Sequence, residues 1–572
     1  MIILPIATAL VAAYVSWTFV CLESNVRKAR AIGVPVIRQP IDSFNILWLT
    51  FQNLVWAALD RLPIAWSSYP AWLRSLRRSW QFTNKNHWNL EHGPVFALVS
   101  PVGITLYIAD ADAISEIYRR RDDFIRPVQE YKILEIFGPC LSTAGWDDWP
   151  RHRKPLASPF NEGIMKFVWK ESLRQAQLMT KTWTSDVSLD NGIPSTTKDM
   201  RTFSLNVLAG TGFGLSYDFH GSADGDSPKE GKSYRDALAT VLDNCILLML
   251  IPLRRLKSSW APKRWRDIAA GAESFMGYME QMVDDERTAK SQGKSNSGGI
   301  MTSFVHALDE YERHQKNKDQ SLPDIPKNRR GLSMEELYSN LFVINFAGHD
   351  TTANTITFSV FSLAAHPEVQ DWIAQEIDAV IGDLPLEEWD YETLFPKLSR
   401  CRAVFWESLR LYPPVMSIPK WTAARQQDLT VQGKVLIIPA GTRTYIYNLA
   451  VQTLPQYWDD PLTWRPSRWI VEPKSGSAVP GKETFLDPPA GTFLPWSGGA
   501  QNCPGKKFAD VEAAALIAKL FQQHRVKVKL NEGESAESGC NRAQQCLTDV
   551  DCSLVLRMVD PLGTKLIYEE RT

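Results

Sequence analysis

Cys503 is the residue with the most chemistry arranged around it. It stands in FLPWSGGAQNCPGKKF, Phe493 to Phe508, with glycines at 498, 499 and 505, and an apolar helical run (ADVEAAALIAKLF) follows at once. A sulfur that ligates iron must be a thiolate, and a thiolate needs positive potential and N–H donors. Glycines let the backbone aim its amides at the sulfur, and a helix starting just after Cys503 presents its positive end there. Lys506 and Lys507 add charge nearby in the sequence. A lone cysteine ahead of a helix is otherwise more often a packed core thiol. The remaining cysteines, at 21, 140, 245, 401, 540, 546 and 552, form no C-x-x-C pair, so neither a zinc site nor a disulfide framework is implied. The spacing of Cys540, Cys546 and Cys552 is wrong for a metal site, and they read as free thiols.

A second constellation interrupts a long apolar helix. Residues 333 to 366 (SMEELYSNLFVINFAGHDTTANTITFSVFSLAAH) read as one helix, with Ser333, Glu335 and Glu336 suited to its start. Gly348, His349, Asp350, Thr351 and Thr352 break its apolar centre. Gly and paired Thr are poor helix formers, and a buried Asp without a partner is costly. Either the helix opens locally to bind oxygen and a water chain, or it is a kinked core helix with a hydrated polar patch. His349 either reaches the substrate pocket or makes an incidental polar contact. A third pattern, Trp406 to Pro414 (WESLRLYPP), sets Glu407 and Arg410 one turn apart on a helix that the double proline ends.

Taken together, these strings resemble the cytochrome P-450 family. Trp496, Gly499, Cys503 and Gly505 fit its haem-binding pattern, aromatic-x-x-Gly-x-Arg-x-Cys-x-Gly, with Gln501 where the family has arginine. AGHDTT, Ala347 to Thr352, fits (Ala/Gly)-Gly-x-(Asp/Glu)-Thr-(Thr/Ser), and Trp149 with Arg153 fits W-x-x-x-R. Glu407 and Arg410 fit E-x-x-R, and WRPSRW at 464–469 resembles the element that brings a further arginine, Arg468, with Ser467 replacing the usual glutamate. The motifs stand in the family's order, and the resemblance covers about residues 92 to 570.

The resemblance implies a mainly α fold with small β-sheets (α+β), a triangular prism holding haem b between the long helix and the cysteine loop. Cys503 is then the axial ligand of the haem iron, pushing electron density toward O–O cleavage. Thr351 donates a hydrogen bond to dioxygen and Asp350 relays protons, while Glu407, Arg410 and Arg468 hold the cysteine loop. Trp149 and Arg153 contact a haem propionate. Neutral Gln501 offers hydrogen bonds without charge, so haem retention is expected to lean on Arg153 and on Lys420, which spacing alone suggests. The implied activity is a haem-thiolate monooxygenase inserting one atom of O2 into a hydrophobic small molecule. Electrons come from a membrane-bound NADPH-dependent flavoprotein reductase, docked on Arg151, Arg153, Lys154, Lys506 and Lys507. A haem-thiolate isomerase or dehydratase, and a non-catalytic haem- or lipid-binding protein, are the other readings; Asp350 beside Thr351 argues against both. The cysteine string is most similar to microsomal-type filamentous-fungal members, many of which tailor terpenoids or polyketides, which implies secondary metabolism.

The elements that must position these residues fill a chain of 572 residues, enough for a large core. Its 44% hydrophobic and 22% charged shares exclude wholesale disorder. A net charge of −1 gives no global attraction to nucleic acid, which is not expected as a partner. Residues 1–22 carry no charged side chain and would span about 33 Å as a helix, the thickness of a bilayer core. Arg27, Lys28 and Arg30 follow, which predicts a single-pass anchor in the endoplasmic reticulum membrane with the body in the cytosol. A cleaved signal peptide would instead open on a basic stretch, absent here. Residues 23–91 are read as a hinge and a membrane-contact segment, with either an interfacial or an ordinary buried helix over 44–66, and residues 92–572 as the catalytic haem domain. A hairpin is expected around Pro101, polar loops at 218–232 and 288–331, and strands at 428–449 and 553–568. Segments 124–145, 236–255, 346–351 and 414–419 are expected to wall a mostly apolar substrate pocket.

Overall fold

One sheet joins strands from three separate stretches of the sequence, residues 36–38, 95–108 and 418–446. Val36–Arg38 (β1) runs parallel to Val95–Ser100 (β2), which forms a hairpin with Gly103–Ile108 (β3), Ser100 opposite Gly103. Ile418–Trp421 (β4) pairs antiparallel with Arg443–Ile446 (β7), and β7 lies parallel to β3, giving the order β1-β2-β3-β7-β4. Between β4 and β7, Gln427–Val431 (β5) and Lys434–Ile438 (β6) form a hairpin of their own. Among the described residues there are three more strand pairs: Ile470–Val471 (β8) with Thr484–Phe485 (β9), His524–Val528 (β10) with Leu566–Glu570 (β13), and Val550–Cys552 (β11) with Leu556–Met558 (β12). The computed structural model describes residues 3–185, 191–219, 234–293, 299–316, 329–471, 479–552 and 554–571. Most of the loop expected at 218–232, and residue 553 of the last expected strand run, lie outside these.

Helices make up the rest of the core. Those that position the site are Ile3–Ile32 (α1), Ile46–Leu59 (α2), Trp149–Ala157 (α3), Glu162–Trp183 (α4), Thr196–Phe213 (α5), Met334–Ala365 (α6), Pro367–Val380 (α7), Ser399–Leu411 (α8) and Lys506–Phe521 (α9). α6 starts in a capping box: Ser333 Oγ accepts from the Glu336 amide, and the Glu336 carboxylate accepts from the Ser333 amide. It then runs unbroken through the core, packed on α5 and α8, while α9 lies on α4. The stretch 288–331, expected as a polar loop, contains the helix Ile300–Lys316. Met301, Phe304, Val305 and Leu308 recur at helical spacing and are buried, and this stripe outweighs the polar composition around it.

α1 continues past Leu22 because nothing breaks it before Gly33, whose φ of +83° suits glycine and ends the helix. Its outer part is bare: Leu10, Val11, Tyr14, Trp17 and Phe19 are exposed. Its last turns are core, with Val26, Ala29 and Ile32 buried near β2. Among the described residues, α1 is the one helix long and apolar enough to cross a membrane. α2, capped by the Asn45 side chain, buries Trp56 and Gln52 and exposes Ile46, Leu47, Phe51 and Leu54.

Candidate active site

A cavity of about 390 Å3 lies among α6, α9 and β4, and Cys503 opens into it. The cysteine loop is fixed by short-range geometry. The Cys503 amide donates to the Trp496 carbonyl over 2.9 Å, and Gly499 turns the chain at φ +66°. A Cβ at Gly499 would lie 3.3 Å from the Tyr118 ring, whose hydroxyl meets Ser497 Oγ at 3.2 Å. Burial pushes the Cys503 thiol up, while the Gly505 amide and then Arg153 pull it back toward the thiolate. The two lysines expected to supply that field are directed elsewhere. Lys506 Nζ lies over the Trp406 and Trp496 rings, at 5.2 and 5.3 Å, and Lys507 pairs with Glu162. Both lysines are engaged away from the sulfur, and Arg153 is the cation that acts on it.

Three cations line the same cavity. Arg153 donates to the Asn502 carbonyl and side chain, at 2.9 and 3.0 Å, beside Trp149. Lys420 is buried on β4 over the Tyr118 ring, its pKa pulled down to about 8 by burial and by Arg126. Arg126 donates to the Leu141 carbonyl, and burial lowers its pKa too. Among the described residues no carboxylate stands within ion-pair distance of any of the three. Gathering like charges without anions in an apolar cavity is costly, and a flat apolar group with two carboxylates, such as haem, would relieve that cost. Trp149, Trp496, Gln501 and Gly505 also line this cavity. Arg126 is the residue that sequence reading missed: it stands alone in FIRPV, with no motif spacing to mark it.

At the centre of α6 the two proposed proton-handling residues face different ways. Thr351 lines the Cys503 cavity, its hydroxyl donating back to the Ala347 carbonyl over 2.7 Å. The helix runs unbroken across Gly348. Asp350 lines a second, more polar cavity of about 1060 Å3. There Arg201 Nε lies 3.1 Å from its carboxylate, and the same guanidinium reaches Asp243 over 3.1 Å. His349 also lines the second cavity, its Nδ1 on the Asn345 carbonyl at 2.9 Å, and takes no part in the first.

The Glu407–Arg410 pair is fully buried, with bonds of 2.8 and 2.9 Å, and Arg468 Nε joins Glu407 over 2.9 Å. The Trp469 indole and the Arg465 amide also donate to Glu407. Gln452 carries this network to the cysteine loop. Its carbonyl accepts from Arg410, and its side-chain oxygen accepts from the Leu494 amide.

The cytochrome P450 family model matches residues 66–540 of this chain. The chain belongs to the cytochrome P450 family. It is 27% identical over 570 residues to a cytochrome P450 monooxygenase of Arthrobotrys oligospora, covering 96% of this chain and 95% of the relative. It is 29% identical over 550 residues to the phomenoic acid biosynthesis cluster cytochrome P450 monooxygenase of Leptosphaeria maculans, covering 89% of each. The haem domain of cytochrome P450DA has the same fold, with a TM-score of 0.63 at 17% identity over 88% of this chain and 96% of that one. The protein is thus a haem-thiolate monooxygenase, an oxidoreductase whose cofactor is haem b and whose co-substrate is O2. Its substrate is hydrophobic and its electrons come from a redox partner, as across the family.

Two expectations about this P450 change with the structure. Segment 236–255 does not wall the Cys503 cavity: Asp236, Leu242, Asp243 and Cys245 line the second one, and Leu208, Val343 and Ile344 stand in their place. The helices Tyr234–Asp243 and Cys245–Leu250 fall on the Asp350 side of α6, which periodicity could not reveal. Arg151 is no part of a basic docking face. Its guanidinium is buried between Asp148 and both oxygens of Glu336, the latter at 2.6 Å, and it also donates to the Gly331 carbonyl. Asp148, His152 and Glu336 converge closely enough for a metal, but Arg151 already occupies the two carboxylates and locks α3 to the start of α6.

Proposed function

We propose that this P450 hydroxylates, or oxidises in a related way, a hydrophobic small molecule of secondary metabolism, a terpenoid or polyketide. The membership of the Leptosphaeria maculans relative in a biosynthetic cluster supports the pathway class, and the apolar walls of the Cys503 cavity (Val343, Ile344, Ile418 and Phe508) support the substrate class. The observation that carries the site assignment is that Cys503 and Thr351 open into one cavity with Arg126, Arg153 and Lys420.

Bound haem supplies the oxygen activation. Cys503 would hold its iron; Arg126, Arg153 and Lys420, with Trp149 and Gln501, would take its propionates; Trp496, Gly499 and Gly505 shape the loop that carries Cys503. Thr351 lines the cavity with its hydroxyl, whose proton is donated to the Ala347 carbonyl and must rotate away from it to be offered inside the cavity. Asp350 takes protons from the second cavity, where its carboxylate pairs with Arg201 over 3.1 Å. Glu407, Arg410 and Arg468 are structural.

Electrons arrive from an NADPH-dependent flavoprotein reductase. α1 anchors the chain in the endoplasmic reticulum membrane with the body in the cytosol, and the apolar outer face of α2 rests in the lipid interface. On this reading residues 1–22 are the anchor, 23–91 the membrane-contact segment and 92–572 the haem domain, although α1 and β1 also contribute to the core. The test is the carbon monoxide difference spectrum of the dithionite-reduced protein. A strongly red-shifted Soret band, lost in Cys503→Ala, is expected; its absence from the wild type would remove Cys503 as ligand.

A further inference from the structure

Glu512 on α9 is a buried acid that none of these roles uses. It is fully buried, and neither carboxylate oxygen has a hydrogen-bond partner among the described residues. Ser204 of α5 faces it with a buried hydroxyl that likewise makes no well-formed hydrogen bond among the described residues. Burial dominates and pushes the Glu512 pKa up to about 8, against a smaller pull from Ser204 toward the charged form. An acid so placed is held neutral at pH 7.

Its place relative to the haem cavity follows from helix geometry. Phe508 and Ala509 line that cavity, and Glu512 comes four and three residues after them on α9. Leu208 lines it from α5, four residues after Ser204. Residues spaced three or four apart share a helix face, about 5–6 Å from one another. From both helices, then, the acid sits one turn behind the cavity wall. The charged groups on the surrounding elements are engaged with each other: Glu171 of α4 with Arg174, Arg402 of α8 with Asp510, Glu407 with Arg410, and Asp350 of α6 with Arg201. Glu376 of α7 accepts from α8 amides, and on β10 Arg525 pairs with Asp371 and Lys527 with Glu569. None of them enters the balance at Glu512, which burial and Ser204 set.

We propose that Glu512 is a redox-linked protonation site: wherever it is ionised in the oxidised protein, on the alkaline side of neutrality, it takes up one proton when the haem takes up one electron. The inference rests on haem occupying the Cys503 cavity. An electron added to haem in the adjoining cavity repels a carboxylate charge, so reduction raises the affinity of Glu512 for a proton, and by reciprocity protonation favours reduction. The electron comes from the redox partner and goes to the iron; the proton comes from solvent and forms an O–H bond on Glu512. The net charge of the buried region is then unchanged.

The experiment is a spectroelectrochemical titration of the full-length holoprotein between about pH 6 and pH 10, spanning the shifted group. The wild-type midpoint potential should be level at the acid end and fall above about pH 8 by up to about 59 mV per unit, the one-electron limit for a tenfold change in proton activity. Glu512→Gln, an isostere that cannot ionise, should keep the acid-end potential at all these pH values. A wild-type slope preserved in Glu512→Gln overturns the proposal. If Glu512→Gln fails to retain haem, redox-difference infrared spectra of the wild type decide instead. Reduction at alkaline pH should raise a deuterium-sensitive carboxylic-acid band, and its absence overturns the proposal. A thiolate-type carbon monoxide band without either signal sinks this inference alone, whereas loss of that band sinks the reading of the cavity as well.

Discussion

At Gln501 the cysteine loop offers hydrogen bonds where the family pattern has a cation, while Arg126, Arg153 and Lys420 line the same cavity. A hydrogen bond to a charged group contributes about 1.5–3 kcal/mol. Arg126→Ala or Lys420→Ala should therefore weaken haem retention by about 10- to 100-fold, read as the haem-to-protein ratio after gel filtration. Gln501→Arg should bring no comparable gain, because it adds a fourth cation to the cluster. Thr351→Ala should divert reducing equivalents into hydrogen peroxide while leaving the carbon monoxide band intact, measured as peroxide formed per NADPH consumed. The cysteine, threonine and E-x-x-R residues were legible in the sequence because their chemistry is packed into short motifs. Arg126, Arg201 and Gln452 were not, because each acquires its role from partners far along the chain.

At the scale of elements, α8 is the piece whose loss should be felt most. Its Glu407–Arg410 pair is wholly buried, and removing one partner of such a pair costs about 3–5 kcal/mol. Glu407→Ala should leave little folded holoprotein, seen as loss of soluble haem-containing material. The N-terminus of α8 carries a pH signature. Glu376 accepts from the Arg400 and Cys401 amides at 2.7 and 3.0 Å, yet burial lifts its pKa from 4.5 to about 7. A carboxyl raised on folding contributes stability that is full below its unfolded value, near 4.5, and is lost as pH rises through about 7. Thermal melts should show this decline in the wild type and a flatter profile in Glu376→Gln. The long helix and the β2–β3 hairpin were legible from periodicity and turn residues. Helix Ile300–Lys316 was not, since its apolar stripe is embedded in polar sequence.

For the molecule as a whole, the N-terminal segment has two functions that composition alone runs together. Charge-free sequence ends at Leu22, but the helix ends at Ile32, and its last turns belong to the core. A chain beginning at Glu23 should keep the melting temperature of the full protein. One beginning at Gly33 loses the buried Val26, Ala29 and Ile32 and should melt several degrees lower, by differential scanning fluorimetry. The junction between α1 and the body has a mechanical consequence. Because the helix is seated before it emerges, it leaves the protein at a fixed angle, as a mast stepped into a keel rather than a rope tied to a buoy. If α1 crosses a lipid sheet, as proposed, that sheet would be held at one tilt to the catalytic body. Oily molecules dissolved in the sheet would then meet the same side of the enzyme at every encounter.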